Sequence, residues 1–156
     1  MKKMSFKNKR YPMKVRVELI DQASELEDAF SIRERVFVEE QEVAAEEEYD
    51  EFEDSSRHFL ARLDDLPVGT ARWRFTPNGV KLERFAVLKE HRGQGVGQAL
   101  VAAVLADIED NPNALGKTKY LHAQLHAMPL YSKFGFQQVG EMFEECAILH
   151  FKMTRS

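Results

Sequence analysis

Between residues 90 and 97 the chain reads Glu90-His91-Arg92-Gly93-Gln94-Gly95-Val96-Gly97, placing three of its eight glycines within five residues, beside an arginine. Glycine lets a backbone turn sharply and present N–H groups to a ligand with no Cβ in the way, and a helix starting there adds the positive end of its dipole. Such a turn suits a diphosphate held by main-chain amides and by Arg92. The stretch lacks the Gly-Lys-Ser/Thr ending of a nucleotide P-loop, and G-x-G-x-G differs from the dinucleotide pattern G-x-G-x-x-G. Other reactive residue types are sparse. His122 and His126 stand four apart, a spacing that converges on a metal only along a helix face; here it spans a strand end and a loop, so no metal is expected. Cys146, the sole cysteine, has no partner for an internal disulfide and reads as a small buried side chain rather than a nucleophile. His91 and His150 are isolated, and Trp73, between Arg72 and Arg74, reads as sheet packing.

The cradle needs a strand before it and a helix after it. Val80 to Leu88, rich in β-branched and aromatic residues, supplies the strand; Val96, Leu100, Val101, Val104, Leu105 and Ile108 share one helical face, and Asn111-Pro112-Asn113 stops that helix. Upstream, Met13, Val15, Val17 and Leu19 alternate with charged residues as a half-buried strand, followed by a helix through Leu26, Ala29, Phe30, Arg33, Val36 and Phe37, with Asp21 and Ser24 as capping candidates. Arg57 to Leu63 and Val68 to Phe75 form a hairpin across Asp64-Asp65-Leu66-Pro67. Tyr120 to Gln124 is a short strand, Pro129 to Phe134 a short helix ended by Gly135, and Gln138 to Phe143 and Cys146 to Met153 two final strands. The order β-α-β-β-β-α-β-α-β-β predicts an α/β (α+β) fold: a mixed, mostly antiparallel central sheet with helices on both faces.

At 156 residues the chain has the size of one domain, expected from residue 13 to 156 behind a basic, disordered tail over 1–12. With 44% hydrophobic and 31% charged residues it can bury a continuous core. It has no apolar run of membrane-spanning length and no secretory leader, so a cytoplasmic protein with no membrane partner is expected. The net charge of −4 hides a separation: residues 39 to 54 hold ten of the 26 acids and no Lys or Arg, leaving 16 acids against 22 bases elsewhere. The basic excess lies largely in the N-terminal tail without an aromatic-interleaved platform, so no nucleic-acid partner is expected. The acidic run reads either as a solvated loop or as the rim of a cleft that attracts a cationic substrate.

The cradle resembles the signature [Gln/Arg]-x-x-Gly-x-[Gly/Ala] of the GNAT superfamily of acyl-CoA-dependent N-acetyltransferases, through Arg92, Gly95 and Gly97. Arg84-Phe85-Ala86-Val87 looks like the family's preceding strand, and Ala127-Met128-Pro129-Leu130-Tyr131-Ser132-Lys133-Phe134-Gly135-Phe136 is similar to its A-x-x-[Phe/Leu]-Tyr-x-x-x-Gly-Phe segment. The segment from Arg33 to Gln41 resembles a bacterial subgroup with R-x-x-V-F-V-x-E-Q. The resemblance implies acetyl-CoA as acyl donor, held by Phe85, Ala86, Val87, Arg92, Gly93, Gln94, Gly95, Val96 and Gly97, and direct transfer to a primary amine in a ternary complex. Tyr131 is the implied general acid, giving its phenol proton to the departing sulfur; a phenol pKa of about 10 exceeds a thiol's of about 8.5. The oxyanion would fall to a backbone N–H near Val87. Ala127 stands where many relatives carry Asn.

For the base, alternation places Glu83 on one strand face with Lys81, Phe85 and Val87, able to take the amine's proton directly or through water; an ion pair with Arg84 or Arg72 and a wholly solvent-borne base are the alternatives. Glu40, Gln41 and His58 are candidates for the acceptor pocket, and the acidic run suggests a cationic small molecule. A non-catalytic acyl-CoA sensor or interaction module would keep Arg92 and the glycines without needing Tyr131. A nucleotide-binding domain is the third reading, and edge strands could pair into a homodimer.

Overall fold

The computed structural model describes residues 14–156; the expected tail and Met13 lie outside them. Its elements are β1 (Val15–Leu19), α1 (Ala23–Arg33) running into a π-helical segment (Glu34–Glu40), α2 (Ala45–Glu48), β2 (Arg57–Leu63), β3 (Leu66–Thr76), β4 (Gly79–Val87), α3 (Val96–Glu109), β5 (Lys119–Gln124), α4 (Met128–Ser132), β6 (Gln137–Glu145) and β7 (Ile148–Arg155). The seven strands lie in one sheet in the order β1-β2-β3-β4-β5-β7-β6. Every neighbouring pair is antiparallel except β4 and β5. A mixed, mostly antiparallel sheet with helices on both faces is therefore the architecture.

Two apolar layers hold the helices. On one face α3 presses Val96, Leu100, Val104 and Ile108 onto Phe59, Ala61, Val68, Trp73, Leu82 and Leu121. Gly69 permits the close approach, because a Cβ there would sit 3.0 Å from Val96 Cγ1 and 3.1 Å from Leu100 Cδ1. On the other face Ala29 and Ile32 of α1, with Val36 and Phe37 of the π-helical segment, cover Leu60, Ala86 and Leu88. Trp73 is buried as sheet packing, and its Nε1 donates to Asp107 at 2.8 Å. Cys146, by contrast, is exposed in the β6–β7 turn, with φ +52°, so the expected buried role does not hold. Alternation in the last two strands does not reveal that they separate at Cys146-Ala147.

Much of the acidic run is neither solvated nor free. Arg33 Nε donates to Glu48 at 2.7 Å and its Nη2 to Glu53 at 2.8 Å. Arg72, with no side-chain exposure, donates to Asp50 at 2.7 Å, Glu53 at 2.8 Å and Glu83 at 2.8 Å. Arg84 reaches Asp50 at 3.2 Å. Buried guanidiniums must be paired to be tolerated, and this segment supplies the carboxylates. The loop between α2 and β2 is thus fastened to the sheet by charge.

Arg72→Met leaves Asp50, Glu53 and Glu83 without their shared cation and should lower the unfolding free energy by about 3–5 kcal/mol, measured as a lower urea midpoint. Burial raises the carboxyls of Asp50 and Glu53, but Arg72 and Arg33 more than reverse it and hold each at about 2. Their folded values lie below the unfolded ones, so the stabilisation is complete above about pH 5 and is lost as pH falls toward about 2. Glu48, whose burial raises its carboxyl, works in the opposite direction. Thermal midpoints should therefore fall through that window in the wild type, and less steeply in Arg72→Met.

Candidate active site

β4 and β5 run side by side in register only at Val80 with Lys119 and Lys81 with Tyr120. Beyond those two pairs the parallel strands diverge, and the second half of β4 presents an edge that β5 does not cover. Into this gap opens a cleft of about 550 Å³. Its wall includes Phe85, Ala86, Val87, Gly93, Gly95, Val96, Gly97 and Tyr131, together with Gln41, Glu83, His122 and Glu145. Residues from both sheet faces share this wall, so the cleft passes through the sheet.

The cradle lies at one mouth. Gly93 and Gly95 adopt φ +79° and +85°, a left-handed backbone that a Cβ disfavours, and nothing lies within 4 Å of where either Cβ would point. Gly95 caps α3, whose first amides have no side-chain acceptor and are available to an anion. Gly97 serves packing, since a Cβ would stand 3.3 Å from Leu130 of α4. Arg92 donates to both carboxylate oxygens of Glu40, at 2.7 and 2.8 Å, and through Nε to the Val87 carbonyl at 3.0 Å. Hydrogen bonding to Arg92 holds the Glu40 carboxyl below its ordinary range. Gln94 is exposed and outside the cleft wall.

Glu83 does not share a face with Phe85. A bulge opposite the Thr70/Arg72 step, with Arg84 at φ +60°, resets the alternation of β4. Val80 and Leu82 face α3, and beyond Arg84 so do Phe85 and Val87, while Ala86 and Leu88 face α1. Glu83, paired with Arg72, is thus on the opposite face from Phe85. Its carboxylate accepts from Arg72 and from Arg74 at 2.7 Å, with Lys81 Nζ at 3.4 Å. Burial raises the group, yet those three cations hold it below the ordinary carboxylate range. The ion-pair alternative is realised with Arg72, and a proton acquired by Glu83 would have to displace these cations.

The acceptor candidates separate. Gln41 is in the cleft wall and exchanges hydrogen bonds with Gln124 of β5 at 2.9 and 3.2 Å, bridging the gap. Glu40 is outside that wall, occupied by Arg92 at the cradle. His58 is also outside it: its Nε2 lies 2.7 Å from the Glu53 carbonyl, its ring packs edge-on to Phe30, and burial lowers its pKa. It belongs to the charge cluster, because β2 turns it toward α1 and away from the gap. His122 and Glu145, which sequence reasoning did not pair, meet at 3.1 Å in the wall. They lie 23 residues apart and adjoin only because β7 and β6 fold back beside β5, which no local spacing announces.

Tyr131 reaches the gap from α4 on the α3 side, 6% exposed, with Phe85 and Phe136 edge-on at 5.6 and 6.2 Å. Burial pushes its phenol above the ordinary value and keeps it protonated. Among the described residues none hydrogen-bonds its hydroxyl, and no fully buried side-chain oxygen is without a partner, so the hydroxyl opens to the cleft. A protonated phenol beside an uncovered strand edge and an anion cradle can serve a thioester whose tail enters past the glycines.

Residues 20–156 match the acetyltransferase (GNAT) domain family. The chain is similar to YjcF, an uncharacterised N-acetyltransferase of Bacillus subtilis (strain 168), with 41% identity over 84% of this chain and 92% of that one. Its fold matches Escherichia coli ElaA at a TM-score of 0.75, with 29% identity, covering 92% of this chain and 100% of that one. A GNAT family acetyltransferase from Elizabethkingia anophelis with acetyl-CoA bound shares the fold alone, at 14% identity and a TM-score of 0.68 over 90% of this chain and 96% of that one. With a family match covering nearly the whole of its length and a relative above 40% identity, the chain belongs to the GNAT acetyltransferase family.

Proposed function

We propose that the protein transfers the acetyl group of acetyl-CoA to a primary amine by direct attack in a ternary complex, and that residues 13–156 act as one catalytic domain. The observation that carries this reading is the continuous cleft from the glycine cradle through the β4/β5 gap to the Tyr131 hydroxyl. In this reading the diphosphate takes the α3 amides, Arg92 and the turn of Gly93 to Gly97, and the pantetheine arm lies along the free edge of Phe85, Ala86 and Val87, as an added strand would. An amide N–H of that edge receives the oxyanion, and Tyr131 protonates the sulfur. Sulfur leaves as the thiol, so the C–S bond breaks without expelling a free thiolate.

The acceptor arrives from the α1 side as a cationic small molecule. Glu47 on the cleft wall supports an ammonium ion there, whereas Glu145 is engaged by His122 and Asp50 and Glu53 are already neutralised by arginines. A non-catalytic sensor would use the cradle equally but leave the phenol idle, and Tyr131 separates the two readings.

Acetyl-CoA at about 100 times its dissociation constant should add roughly 2.7 kcal/mol and raise the melting midpoint by several degrees, with no comparable rise from ATP or NAD. Gly95→Ala should cost about 1–2 kcal/mol of stability and remove most of that rise, because a Cβ at φ +85° strains the left-handed turn that presents the first α3 amides. Tyr131→Phe should keep the rise and lose about 10²–10⁴-fold in thiol release with putrescine, tyramine or a lysine tripeptide as acceptor. Unchanged release in Tyr131→Phe would remove the acid from the mechanism.

A further inference from the structure

On the α1 side of the gap, opposite the cradle, β5 contributes His122 to the cleft wall, and the end of β6 brings Glu145 to it. His122 Nδ1 lies 3.1 Å from Glu145 Oε1. The hydrogen bond from His122 holds the Glu145 carboxyl below its ordinary range, so it is ionised. An ionised carboxylate only accepts, so Nδ1 donates to it and Nε2 is the ring nitrogen that Glu145 does not engage. Phe143, edge-on at 5.0 Å, fixes the ring plane. The side chain is 25% exposed, open enough to meet a ligand.

Other groups nearby are less suited to accept a proton. Glu83 is occupied by Arg72, Arg74 and Lys81. His150 is 6% exposed, stacked on Phe143 at 5.7 Å and bonded to the Ile148 carbonyl at 2.7 Å. Lys152, opposite His122 in the β5–β7 register, is a cation with no lone pair to offer. The thiol of Cys146, exposed beside Glu145, is raised by partial desolvation against the turn and by the carboxylates of Glu47 and Glu145.

We infer that His122, oriented by Glu145, is the base that takes the proton from the attacking amine. This rests on the acetyltransferase reading above. The amine nitrogen bonds to the thioester carbonyl carbon, and the adduct's N–H proton passes to Nε2 of His122. As the C–S bond breaks, the sulfur takes the Tyr131 proton. The imidazolium then returns its proton to the phenolate through solvent, so counted from the neutral amine the products are amide and coenzyme A thiol. His122 is catalytic, and Glu145 is a positioning residue that fixes the tautomer. The two proton-handling groups thereby stand on opposite sheet faces, with the thioester between them.

The test compares wild type, His122→Gln and Glu145→Gln. Diethyl pyrocarbonate, mapped by mass spectrometry, should modify His122 in the wild type and do so about tenfold more slowly in Glu145→Gln. With putrescine, tyramine or a lysine tripeptide, His122→Gln should lose about 10²–10⁴-fold in kcat and the acidic limb of its kcat/KM profile, while acetyl-CoA still raises its melting midpoint. Glu145→Gln should lower kcat about tenfold with KM unchanged. A His122 inert to the reagent while His91 reacts, or a His122→Gln enzyme within threefold of wild type in kcat, overturns the base assignment and leaves the acetyltransferase reading standing. A wild type that acetyl-CoA does not stabilise, or that turns over none of the amines, overturns both.

Discussion

The parallel pairing of β4 with β5 ends after two residue pairs, and the site depends on that early divergence. A continuous pairing would close the sheet and hide the backbone of Phe85, Ala86 and Val87 in a ladder. Divergence instead leaves a strand edge whose amides and carbonyls need partners, and a passage joining the two faces. The cradle stands on one side of the passage because α3 follows β4 and packs on the face that Gly69 opens to it. The hairpin of β6 and β7 stands beyond β5 and brings Glu145 back to the other side. The gap is thereby open to ligands from both faces of the sheet.

Charge keeps the α1 side of the gap in shape. The acidic run after the π-helical segment carries the carboxylates that Arg33, Arg72 and Arg84 require. Most residues matching R-x-x-V-F-V-x-E-Q hold the structure together. Arg33 binds Glu48 and Glu53, Val36 and Phe37 enter the core, Glu40 clasps Arg92, and Gln41 spans to Gln124. This segment connects the cradle, the gap and the charge cluster. Glu83, bonded to Arg72 and Arg74, is better understood as part of the cluster than as a group free to titrate.

The strands and the two principal helices were legible because their cores are written in period: Val96 to Ile108 on one helical face, Phe59, Ala61 and Leu63 on one strand face. The cradle was legible because glycines at φ above zero leave a local mark. What stayed hidden depends on irregularity or distance. The bulge at Arg84 inverts the faces of β4, and no residue type at Arg84 announces it, so alternation alone puts Glu83 on the face of Phe85. The exposed Cys146 followed from a turn with no glycine in it. His58 and Glu40 drew attention by type, yet partners remote in sequence claimed both. The meeting of His122 with Glu145 depends on strand order and has no signature in spacing.

The claim that the β4/β5 gap is where acyl transfer takes place is tested most directly by a crystal structure of the protein with acetyl-CoA. The expected result has the diphosphate on the amides of Gly93 to Gly97, the pantetheine along Phe85 to Val87, and the sulfur within hydrogen-bonding reach of the Tyr131 hydroxyl. The thioester carbonyl should face the His122 side. A cofactor bound elsewhere, or one whose sulfur lies away from Tyr131 with the gap unfilled, would contradict it.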